Sequence, residues 1–173
     1  DDGTVSDAAQ ATLCRLLARA AGHDGMAGGQ AIDLASVGLA LSEAQLREMH
    51  RLKTGALLQG SVMMGAACGV APAGAGAALA QYGAAIGLAF QVVDDILDVT
   101  ADSITLGKTA GKDAAQDKPT YVSLLGLERS LAYAQALLVQ ALAALDASGL
   151  DAAGQERTQA LRALADMVVN RDK

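Results

Sequence analysis

Apolar residues recur along this chain at intervals of three and four, the spacing of a helix that buries one face. Leu13, Leu16, Leu17 and Ala20 share a side of a helix expected over residues 7–21, and Gly22 ends it. A second helix is expected over 24–37. Ser42-Glu-Ala-Gln45 has the form of a capping box, with a hydroxyl at the N-cap and an amide three residues on. It opens a third, long helix reaching Cys68. Pro72 and Gly74 separate that helix from a fourth over 77–99, because proline cannot continue a helical ladder. The stretch from Thr100 to Pro119 carries three lysines, two glycines and little periodicity, and reads as a polar loop. Helices resume over 120–127, 128–145 and 151–171, with Gly126 and Gly149 between them. No stretch alternates as a strand does, so the pattern predicts an all-α bundle with one polar loop.

Composition sharpens this picture. Apolar residues make up 52% of the 173, yet there is one Phe and no Trp. A core of Ala, Leu, Val and Gly suits helices whose backbones approach closely. The length fits one domain. A net charge of −6 with scattered Lys and Arg gives no basic footprint, so nucleic acid is excluded as a partner. Cys14 and Cys68 form no CxxC pattern and read as reduced helix residues of a cytosolic protein. Neither His23 nor His50 has a partner at metal-ligand spacing. Thr54 to Val93 holds no charged residue, a run long enough for two membrane spans. It is rich in Gly and Ala, carries Gln59, Gln81 and Gln91, and breaks at Pro72, which fits two buried helices better than a membrane span.

Chemistry concentrates where the fourth helix ends. Asp94, Asp95 and Asp98 stand at i, i+1 and i+4, so Asp94 and Asp98 share a face, and Gln91 lies one turn before them. Their neighbours Phe90, Val92, Val93, Ile96 and Leu97 are apolar. Two carboxylates about 6 Å apart repel by roughly 3 kcal/mol at an effective dielectric of 20. A divalent cation relieves that repulsion, and oxygen-only ligands suit Mg²⁺. The spacing alone fits a solvated acidic helix end equally well. Lysines nearby favour the cation: Gly107-Lys108, Gly111-Lys112 and Asp117-Lys118 follow the carboxylates at once. Metal on one side and ammonium groups on the other are what a diphosphate needs. Lys53-Thr54-Gly55, set before forty uncharged residues, and Gly28-Gly29-Gln30 with Asp33 are two further polar elements on apolar helices.

In this order, these elements resemble the trans-isoprenyl diphosphate synthases. The text that carries the likeness is Gly28-Gly-Gln-Ala-Ile-Asp33, His50-Arg-Leu-Lys-Thr-Gly-Ala56, Gly87-Leu-Ala-Phe-Gln-Val-Val-Asp-Asp-Ile-Leu-Asp98, Leu106-Gly-Lys-Thr-Ala-Gly-Lys-Asp113 and Lys118-Pro-Thr-Tyr121. The resemblance runs over nearly the whole chain, most closely to the bacterial farnesyl-forming branch. It implies an isoprenoid-synthase-type helical bundle and a Mg²⁺-dependent prenyltransferase joining an allylic diphosphate to isopentenyl diphosphate. Asp94, Asp95 and Asp98 are then similar to the family's second aspartate-rich, Mg²⁺-holding motif. Lys53, Thr54, Gln91, Lys108 and Lys118 match contacts to the allylic diphosphate, with Lys53, Lys108 and Asp94 the residues most directly tied to catalysis. Gln30 and Asp33 match a polar pair near that site, and Phe90 a residue beside the isoprenoid. The family is typically homodimeric, and a cytoplasmic location is implied.

One departure bears on this expectation. The family's first aspartate-rich motif, its arginine pair and the basic residues that take isopentenyl diphosphate have no counterpart here. Asp1, Asp2 and Asp7 mimic the spacing only, and apolar helix follows at once. Residues 1–173 are therefore expected to be the C-terminal part of a single synthase domain, incomplete at the N-terminus and inactive alone. A non-catalytic partner subunit and a terpene-cyclase-like member of the superfamily remain the alternative readings.

Overall fold

The computed structural model describes residues 5–100, 119–151 and 156–171. Among them every regular element is helical. They are α1 (Asp7–Ala21), α2 (Met26–Ala35), α3 (Glu43–His50), a π-helical turn (Arg51–Gly55), α4 (Ala56–Ala67), α5 (Ala75–Thr100), α6 (Tyr121–Leu125), α7 (Leu127–Ala147) and α8 (Gln159–Val169). The expected polar loop, apart from its two end residues, lies outside the described residues, and Lys108, Lys112 and Lys118 with it.

Local chemistry sets most boundaries. The Ser6 hydroxyl accepts the Ala9 N–H at the start of α1, and the Gly22 N–H returns to the Ala18 carbonyl at its end. At α3 the Ser42 hydroxyl accepts the Gln45 N–H while Gln45 Oε1 accepts the Ser42 N–H, a complete capping box. Thr120 and Ser123 form the same reciprocal arrangement at α6. Two expectations ran too long. The second helix begins at Met26 and stops at Ala35, where Ser36 turns its hydroxyl back to the Ile32 carbonyl. The last begins only at Gln159.

α5 is the axis of the bundle. It packs most extensively against α7 and α4, and also against α8, α6 and the π turn. Tyr82, Ala85, Ile86, Ala89 and Val92 are buried on one face, and buried Gly83, Gly87 and Asp95 carry the enclosure round more than half its circumference. α7 offers it a conventional stripe of Ala134, Leu137, Leu138, Ala141, Ala144 and Leu145. The Tyr82 hydroxyl donates to the Leu161 carbonyl at 2.7 Å, fastening α8 to the axis. Burial of residues such as Leu46, Met49 and Tyr82 contributes about 1.5–3 kcal/mol each. α5 and α7 are long and apolar enough to cross a membrane by length and composition. α5 is mostly enclosed by its neighbours, as the core helix of a bundle is. Cys14 and Cys68 are exposed and unbridged.

Candidate functional site

The third helix of the sequence reading is interrupted where its polar residues begin. Between His50 and Ala56 the backbone widens into the π turn Arg51–Gly55, which holds Lys53 and Thr54. Such a turn inserts one residue into the α-helical ladder and commonly marks a functional position. Two glycines let other helices reach it. A Cβ on Gly29 of α2 would stand 2.1 Å from the Lys53 backbone nitrogen. A Cβ on Gly87 of α5 would stand 2.7 Å from the Gly55 Cα. Only hydrogen in place of a side chain allows either approach.

These contacts bring the polar groups together. Lys53 Nζ donates to Asp33 Oδ2 at 2.7 Å, with the Asp33 side chain 10% exposed and that of Lys53 30%. Thr54 Oγ1 donates to Gln91 Oε1 at 2.5 Å, joining the π turn to α5 one turn before the aspartates. Gln30, a turn ahead of Asp33 on α2, is exposed.

The aspartates divide. Asp94 is exposed, with a side-chain accessibility of 61%. Asp98 is half-buried one turn later. Asp95 is buried, and its Oδ2 accepts the Tyr121 N–H at 2.7 Å, holding the start of α6. Tyr121 in turn stacks on His50, ring centroids 5.8 Å apart. Both His50 nitrogens and the Tyr121 hydroxyl are buried without a hydrogen-bond partner among the described residues. Burial pushes the His50 pKa down to about 4, the Lys53 charge adding to the shift and Asp33 opposing it. His50 is therefore neutral at pH 7 and adds no cation beside Lys53. Burial also pushes the Tyr121 phenol up.

Arg171 was not foreseen from the sequence. It follows α8 and reaches back to α5, its Nη2 3.1 Å from the Phe90 carbonyl oxygen and 3.4 Å from Asp94 Oδ1. Its Cζ lies 4.1 Å from the centre of the Phe90 ring. Nothing in the local sequence marks this residue, because the contact spans about eighty positions. An apolar cavity of about 550 Å³ lies between α3, α5 and α7, beside Arg47, Leu88 and Leu137, and none of the candidate residues lines it.

The family model for polyprenyl synthetases matches residues 4–154. The chain belongs to that family. A polyprenyl synthetase relative from Sinorhizobium fredii, "Probable farnesyl diphosphate synthase", is 52% identical over 133 residues, covering 75% of this chain and 40% of that protein. The farnesyl diphosphate synthase of Escherichia coli is 43% identical over 173 residues, covering 98% of this chain and 56% of that protein. Among solved structures, a geranyltransferase from Helicobacter pylori, described as complexed with magnesium and isoprenyl diphosphate, superposes with a TM-score of 0.83 at 35% identity. It is matched over 96% of this chain and 54% of its own. The chain thus spans about half the length of the relatives it matches.

The residues present fit a magnesium ion. Asp94 already faces a positive group, the guanidinium of Arg171, so its outer oxygen stands where a cation is accommodated. The donors are all oxygen, as Mg²⁺ prefers. Among the described residues no three His, Cys, Asp or Glu side chains close into a cage. That openness suits an ion that keeps its waters and completes its shell with phosphate oxygens.

Proposed function

We propose that the protein carrying this chain is a prenyltransferase. It condenses an allylic diphosphate, dimethylallyl or geranyl, head-to-tail with isopentenyl diphosphate, giving a short-chain product, farnesyl diphosphate. One observation carries the reading: the π turn pairs Lys53 with Asp33 of α2 and its neighbour Thr54 with Gln91 of α5, one helical turn before Asp94. The Lys53 ammonium and the Gln91 amide N–H are donors for diphosphate oxygens, Thr54 holds the Gln91 oxygen, and the carboxylates follow Gln91 on α5.

In this reading Lys53 leaves Asp33 in part to bind the allylic diphosphate, and Asp33 keeps the ammonium aimed. Gln91 turns its amide N–H to the same group while its oxygen holds Thr54. Lys108 and Lys118 supply further positive charge. When bound through Asp94, Asp95 and Asp98, Mg²⁺ supplies neutralising charge for the diphosphate as it departs with the bonding electrons. The allylic carbon then bonds to the double bond of isopentenyl diphosphate, and a proton is lost to restore an alkene. Phe90 presents its ring to the isoprenoid side. The family membership supports this role set, as do the names of the farnesyl diphosphate synthases among its relatives.

The same reading makes the protein a cytoplasmic homodimer. Ile32, Leu34, Val37 and Leu39 on and just after α2 are exposed apolar side chains of the kind a second copy covers. The decisive experiment is steady-state kinetics of the intact enzyme with Lys53→Ala. The Michaelis constant for the allylic substrate is expected to rise far more than that for isopentenyl diphosphate. An equal rise for both substrates, or none, rejects the assignment.

A further inference from the structure

Arg171 is held by three weak contacts rather than one strong one. A single nitrogen, Nη2, reaches both the Phe90 carbonyl at 3.1 Å and Asp94 Oδ1 at 3.4 Å. The cation rests over the Phe90 ring at 4.1 Å. Its Nε is buried with no hydrogen-bond partner among the described residues. A guanidinium facing a carboxylate can make two parallel bonds, and that bidentate grip is the strong form of the pair. Here it does not form, and a buried N–H left unpaired weakens the hold further. The side chain is itself only 21% exposed, so its charge lies in a medium less polar than water. The arrangement places positive charge on Asp94 without locking it there.

We infer that Arg171 is a resident counter-cation of Asp94 which competes with the divalent metal for the outer carboxylate oxygen. A metal ion on Asp94 and a guanidinium 3.4 Å from the same carboxylate repel each other, so each weakens the other's hold. In the absence of substrate the arginine neutralises Asp94 and weakens metal binding. Metal arrival displaces it and frees Arg171 from α5. This rests on the reading of Asp94 as a metal ligand given above.

Titration of the intact protein with Mn²⁺ alone, followed by water-proton relaxation, tests the competition. A guanidinium whose one contact to an exposed carboxylate is 3.4 Å long couples to it weakly, so Arg171→Gln is expected to bind Mn²⁺ on the order of twofold to fivefold more tightly. Arg171→Lys, which keeps the charge but loses the planar group over the ring, is expected between the two. Arg15→Gln, which removes the same charge from exposed α1, is expected to leave affinity unchanged. In an Asp94→Asn background the Arg171 substitution is expected to be silent. Unchanged or weaker binding by Arg171→Gln, with Asp94→Asn still lowering affinity, overturns the inference and leaves the metal reading standing. If Asp94→Asn itself leaves affinity intact, the metal reading fails first, and the inference with it. Should Arg171→Gln melt below the titration temperature, Arg171→Lys decides: affinity equal to the parent protein's rejects the competition.

Discussion

The ammonium of Lys53 lies 2.7 Å from the carboxylate of Asp33, across the contact between α2 and the π turn. Both side chains are largely withdrawn from water, so removing one leaves the other charged and unpaired. Asp33→Ala is expected to lower stability by about 1–3 kcal/mol, less than for a fully buried pair because Lys53 retains some solvent. It is also expected to weaken allylic substrate binding, as an unheld lysine samples more rotamers. Denaturant melts and allylic Michaelis constants measured on the same variant check both effects.

Asp94 and Asp95 are adjacent in sequence but opposite in situation, and their substitutions should separate. Asp94 is exposed, so Asp94→Ala is expected to leave the melting curve within about 0.5 kcal/mol of the parent while cutting turnover by orders of magnitude. Asp95→Ala deprives the buried Tyr121 N–H of its acceptor and is expected to cost about 1–3 kcal/mol of stability as well. Near-normal turnover of Asp94→Ala removes that residue from the mechanism.

Gly87→Ala adds one methyl at a point 2.7 Å from the Gly55 Cα. The two backbones must part, and overpacking of this kind costs about 1–3 kcal/mol. Parting them also separates Gln91 from Thr54. A variant that binds the allylic substrate as tightly as the parent protein would show that this contact does not align the site.

Acid should destabilise the protein through His50. Its folded pKa of about 4 lies below the ordinary 6.5, so between these values the unfolded chain binds the extra proton. The stability contribution is complete above pH 6.5 and is lost as pH falls toward 4. A shift of this size corresponds to about 3 kcal/mol across the window. His50→Phe keeps a ring against Tyr121 and removes the titration, so its stability is expected to fall less between pH 7 and pH 4.5. Parallel pH profiles for the two proteins reject this role for His50.

Much of the bundle could be read from spacing and caps. The bounds of α1, the capping box at Ser42 and the break at Pro72 are local events written in a few adjacent residues. The polar elements were legible too, because a charged residue such as Lys53 on an otherwise apolar helix is conspicuous. What escaped was longer in range. A π turn and an α turn accept the same residues, so Arg51–Gly55 looked like uninterrupted helix. The burial of Asp95 depends on α6 arriving from 26 residues away, and the guanidinium on Asp94 arrives from 77. Gln30 looked equivalent to Asp33, but only the latter faces the turn that bears Lys53.

The π turn also sets an angular phase. Each residue of an α-helix advances the chain by 100°, and the widened turn takes up one extra residue without passing that rotation on to its flanks. Lys53 and Thr54 stand in the widened turn and meet Asp33 and Gln91 on helices to either side. Deleting a single residue within 51–55 would let α3 and α4 fuse into one straight helix. The flanks would keep their phase, so Leu46, Met49 and the α4 face would stay where they are, and the change would fall on the placement of Lys53 and Thr54. A deletion elsewhere in α3 or α4 would instead turn one flank by about 100° against the other.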